Sequence, residues 1–74
     1  MATALHLLTA GDATRALPVI ARQHAEGTAV RIALLPGATA PPLPDGIIAE
    51  RVGDDLPYER LLDLIFESDQ VVAW

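Results

Sequence analysis

Apolar residues occur along this chain in short bursts, most of them closed by glycine, proline or acidic residues. The first, Ala4-Leu5-His6-Leu7-Leu8, predicts a buried strand running into the turn and cap residues Thr9-Ala10-Gly11-Asp12. Ala13, Ala16, Leu17, Ile20, Ala21 and His24 then recur at helical spacing, which predicts a helix capped by Asp12 or Thr14 and running to about Glu26. Pro18 lacks a backbone donor, so the regular helix is expected to start late or to kink there. Gly27 suits the left-handed position that closes a helix.

Ala29 to Leu35 reads as a second strand, stopped by Pro36-Gly37. Residues 36–46 form a proline-rich loop of polyproline character. Ile47 to Val52 predicts a third strand, more exposed because charges enter its second half. Asp54 and Asp55 ahead of Leu56-Pro57 mark a helix start, with acids at the positive end of the helix dipole. That helix runs to about Ser68 with Tyr58, Leu61, Leu62 and Ile65 on one face, and Val71 to Trp74 supplies a last strand.

The order β-α-β-loop-β-α-β predicts one α/β domain over residues 1–74, with a small, mostly parallel four-stranded sheet and two main helices. Parallel sheets are normally covered on both faces. Here one crossover is a loop, so part of one face is expected to lack cover from its own chain and to be covered by a second subunit.

Composition sharpens that expectation. Seventy-four residues with 51% hydrophobic content and no cysteine lie near the lower size limit for a self-sufficient core, where only about 60% of the unfolded surface becomes buried. Without cysteine there is no disulfide, no thiolate metal site and no protein thiol chemistry. Two histidines without a carboxylate cluster make a poor zinc site, so no cofactor or metal is expected. The remaining supplement is self-association or a partner. A net charge of −5, with only five scattered arginines as basic residues, argues against direct binding to nucleic acid or to an anionic membrane. The apolar runs are too short to span a bilayer, and the start lacks a charged leader, so a cytoplasmic location is expected.

Candidate chemistry is sparse. Asp54 and Asp55 are explained by helix capping better than as an acid/base pair. Glu59, Asp63 and Glu67, four residues apart, form an acidic ridge that is either solvated or a docking face for a basic partner. Neither His6 nor His24 has a nucleophile nearby in sequence, and the only serine is Ser68. His6 is therefore read as partner-facing or satisfied in the core. Thr9-Ala10-Gly11-Asp12 has one glycine and a repelling acid where a phosphate loop would sit. Pro41-Pro42-Leu43-Pro44 has PxxP spacing without a flanking arginine. Trp74, the only tryptophan, is split equally between core packing and subunit contact. With Tyr58, Phe66 and His6 it makes up the candidate interface set.

The tail from Tyr58 through Leu61-Leu62 and Leu64-Ile65-Phe66 to Val71-Val72-Ala73-Trp74 resembles the C-terminus of the DsrH/TusB family. That family typically ends in a Tyr, a short apolar helix, a polar turn and a V-x-A/S-W strand. Ala4-Leu5-His6-Leu7-Leu8 is similar to its opening strand. Arg22 to Gly27, followed by Val30 to Leu35, resembles its first helix, turn and second strand. The likeness is strongest at the two ends, and where family members have a further helix this chain has the loop 36–46. The resemblance implies a DsrE/DsrF/DsrH-like fold and a place in a cytoplasmic sulfur-relay complex. It implies DsrE/TusD-like and DsrF/TusC-like partner subunits, and a DsrC/TusE-like protein that exchanges a persulfide, for tRNA thiolation or sulfur oxidation. With no cysteine, this chain resembles at most the non-catalytic subunit. The alternatives are a stand-alone homo-oligomeric module that binds a protein or ligand, and an enzyme using His6 with a bound metal or cofactor.

Overall fold

A computed structural model describes residues 2–9 and 13–74. Four strands, β1 (Thr3–Leu8), β2 (Ala29–Leu34), β3 (Ala49–Arg51) and β4 (Gln70–Ala73), form one sheet. Every pairing is parallel, in the order β3-β2-β1-β4. Two helices, α1 (Leu17–Ala25) and α2 (Tyr58–Glu67), connect β1 to β2 and β3 to β4. The α/β architecture is thus the one predicted, and the sheet is entirely parallel. Among the described residues no helix is long and apolar enough to cross a membrane.

Side chains alternate across the sheet, so consecutive residues of β1 serve two different cores. Leu5 packs with Ala33, Val52 and Leu56 under Leu61 and Leu64 of α2. Leu8 packs on the opposite face with Ile32, Leu34 and Ile20 of α1. Burial on both faces explains why β1 reads as an unbroken apolar run. Leu5 and Leu8 are fully buried, each worth about 1.5–3 kcal/mol by transfer from water.

The face opposite α2 is better covered than the sequence suggested. Ala38 is buried in that core, and Leu43 and Ile47 pack against it beside Ile20 of α1. The Arg51 guanidinium donates to the carbonyl of Ala38 at 3.0 Å, which ties the loop to the end of β3. The proline-rich segment therefore covers part of the face that a further helix would have covered.

Element boundaries follow local chemistry. A 3-10 turn (Ala13–Ala16) precedes α1, and Pro18 sits in the first helical turn, where its missing donor costs nothing. The late start predicted from Pro18 is what the chain adopts. The N-cap position of α1 is Ala16, and Thr14 lies within the preceding 3-10 turn; Asp12 lies outside the described residues. At the other end Gly27 takes φ +85°, and Thr28 N donates back to Gln23 O at 3.0 Å, closing the helix as expected. β3 is shorter than predicted, since Ile47 and Ile48 fall outside it.

Asp54 and Asp55 do not cap α2. Their backbone N–H groups, with that of Leu56, converge on Arg51 O at 3.1–3.2 Å, a turn made possible by Gly53 at φ +96°. The helix begins after Pro57, with Glu59 the only acid in its first turn.

Candidate functional site

Strand order reverses between β1 and β4, because α1 leads away on one face and α2 returns on the other. In open parallel sheets this switch point is where ligands usually lie. Along these two strands, on the α1 side of the sheet, a chain of side-chain hydrogen bonds is built.

His6, in the middle of β1, is 0% exposed. Trp74, just past β4, donates its indole Nε1–H to His6 Nδ1 at 2.9 Å, with the ring centroids 6.1 Å apart and the planes 13° off parallel. An indole nitrogen can only donate, so Nδ1 must be the bare acceptor and the proton resides on Nε2. That proton points to Gln23 Oε1 of α1, 2.7 Å away. The Gln23 amide then donates to Gln70 Oε1 at 2.9 Å, at the start of β4. Thr9 Oγ1 donates to the main-chain oxygen of Trp74 at 2.5 Å. A one-way relay, Trp74 to His6 to Gln23 to Gln70, thus links both ends of β4 to β1 and α1. No buried side-chain polar atom among the described residues lacks a partner, as a low-dielectric interior demands.

This arrangement settles how each candidate is placed. With both ring nitrogens engaged, His6 has no lone pair or proton free for a substrate or metal. Its full burial and two side-chain bonds fit the core-satisfied of its two readings. Trp74 is half-buried and packs on the α1-side core, with the rest of its ring at the surface. Tyr58 and Phe66 are 60% and 86% exposed on α2. Leu62, placed on the same face as Leu61 and Ile65 by its spacing, is 56% exposed, and Leu64 lies in the core with Leu61. The three exposed side chains, four residues apart, make an apolar stripe along α2.

The acidic ridge is partly neutralised, since Arg60 reaches Asp63 at 3.9 Å and Glu67 at 3.6 Å. His24 is exposed on α1. Ser68 Oγ donates to Leu64 O at 2.6 Å, a helix-end bond distant from either histidine in sequence. No cluster of three His, Cys, Asp or Glu residues fit to hold a metal occurs among the described residues. A cleft of about 590 Å³ beside the first half of β2 is lined by Val30, Arg31, Ile48, Glu50 and Asp55, among others. Its charges are of both signs, and it does not communicate with the His6 relay.

The relay itself was hidden from sequence reasoning, because Trp74 and His6 are 68 residues apart. The one signal was a histidine inside an otherwise apolar strand, which requires a polar partner somewhere. No protein-family model, no curated protein and no solved structure matches the chain.

Proposed function

We propose that this chain is a non-catalytic, DsrH/TusB-like subunit of a cytoplasmic sulfur-relay complex. In that role it completes an assembly with DsrE/TusD-like and DsrF/TusC-like subunits and supports a partner's persulfide-bearing cysteine. The observation that carries the reading is the stripe of Tyr58, Leu62 and Phe66, large apolar side chains left uncovered on a small acidic domain. Aromatic residues exposed in a row mark a contact surface more often than a solvated one. The ridge of Glu59, Asp63 and Glu67 lies on the same helix, which suits a partner groove with a basic rim.

Two further features favour the reading. The segments that resemble the family most closely, Ala4 to Leu8 and Val71 to Trp74, are neighbours in the sheet, joined through His6 and Trp74. They therefore form one structural unit. The engaged nitrogens of His6 and the absence of any cysteine leave the sulfur chemistry to the partner.

Co-expression with DsrE- and DsrF-type proteins, followed by size-exclusion chromatography with light scattering, tests the reading. Co-elution with a defined stoichiometry is expected, lost in Leu62→Glu and Phe66→Glu while each variant keeps its circular dichroism spectrum. A folded chain that elutes apart from every such partner refutes it.

A further inference from the structure

We infer that β4 is a self-pairing edge, through which two copies of this chain join antiparallel into one continuous sheet. This goes beyond the sulfur-relay reading and stands without it, and it leaves the α2 stripe free.

The two sheet edges are treated differently. β3 carries Glu50 and Arg51, and charge is an ordinary protection of an edge. β4, reading Gln70-Val71-Val72-Ala73, has neither charge nor proline. Trp74 N donates to Leu7 O, so Val72 and Gln70 share that inward direction. By the alternation of a parallel ladder, Val71 and Ala73 turn their N–H and C=O groups outward. Val71 remains 40% exposed.

An extended backbone is the occupant this row of donors and acceptors calls for, and a second β4 matches it residue for residue. A two-fold axis at Val72 sets Val71 against Ala73 of the second copy, and the reverse, as two reciprocal hydrogen-bonded pairs. It sets Gln70 against Trp74 of the second copy, on the side chains' shared face. Residues 70 to 74 carry no charged side chain, so none is set against another within the paired segment, although each chain carries a net charge of −5. Asp69, just outside it, is held by Thr3 N at 2.9 Å.

The axis makes a sharp test, because only residue 72 faces itself. Val72→Cys gives a cysteine-free chain its single thiol. A non-hydrogen-bonded antiparallel pair, with Cα atoms about 4.5 Å apart, lies within disulfide range. Rapid oxidation to a covalent dimer is expected at position 72, and not for Glu50→Cys on β3. Independently, Val72→Lys and Val72→Glu are each expected to lose the dimer seen by analytical ultracentrifugation for the unaltered chain. Mixing the two is expected to restore it as a heterodimer. Ala73→Pro, which removes an outward donor and leaves the β1 ladder intact, is expected to abolish it. A chain that stays monomeric at high concentration overturns the proposal. So does a dimer indifferent to Val72 and Ala73 substitutions, or one that cross-links through β3.

Discussion

Removing the indole N–H of Trp74 leaves the Nδ1 lone pair of His6 buried and unmatched, and that is the measurable weight of the relay. Trp74→Phe keeps most of the apolar ring, so its cost is dominated by the orphaned acceptor, about 1–3 kcal/mol in urea denaturation. In a domain this small each kcal/mol lowers Tm by roughly 4–8 °C. His6→Ala opens a cavity as well as breaking two hydrogen bonds, so a loss of about 2–4 kcal/mol is expected. His24→Ala, on the exposed side of α1, serves as the control, with a change within about 0.5 kcal/mol. A histidine inside Ala4-Leu5-His6-Leu7-Leu8 was legible as a residue needing a polar partner. Which partner was not, because the apolar pattern of one strand carries no information about the strand beside it.

Among the elements, α1 and its closing turn were the most legible. Pro18 and Gly27 act through the backbone alone, and backbone restrictions are local. Gly27 sits at φ +85° with nothing within 4 Å of where a Cβ would stand. Gly27→Ala is therefore expected to cost about 1–2 kcal/mol, all of it conformational, as measured by thermal melting. Helix α2 was half-legible. Tyr58, Leu61, Leu62, Leu64, Ile65 and Phe66 spread apolar character over about half its circumference, so periodicity alone could not choose which edge meets the sheet. Tertiary packing chose Leu61 and Leu64. The same contrast yields a prediction: Leu64→Glu unfolds the domain, whereas Leu62→Glu leaves stability within about 0.5 kcal/mol in the isolated chain. The acids Asp54 and Asp55 were misplaced for a different reason. Gly53 permits a tight turn onto Arg51 O ahead of the helix, and Pro57, not an acid, takes the cap.

At the scale of the molecule, fold class followed from the order of the bursts, while coverage of the sheet did not. Counting helices left one face bare because a proline-rich segment was taken as a connection only. Ala38, Leu43 and Ile47 show it to be a packing layer, and nothing in polyproline composition announces which alanine will be buried. Large apolar side chains stay exposed on α2, at Ile48 ahead of β3 and at Val71 of β4.

The inner position of β1, between β2 and β4, has a kinetic consequence. Ala4 to Leu7 must find residues 70 to 73, some 66 positions along the chain, and so distant a closure is slow compared with the local β1-α1-β2 unit. Because Trp74 is the sole indole and docks only when β4 arrives, its emission times that closure. Stopped-flow refolding should therefore separate an early rise in helical ellipticity from a later blue shift in fluorescence.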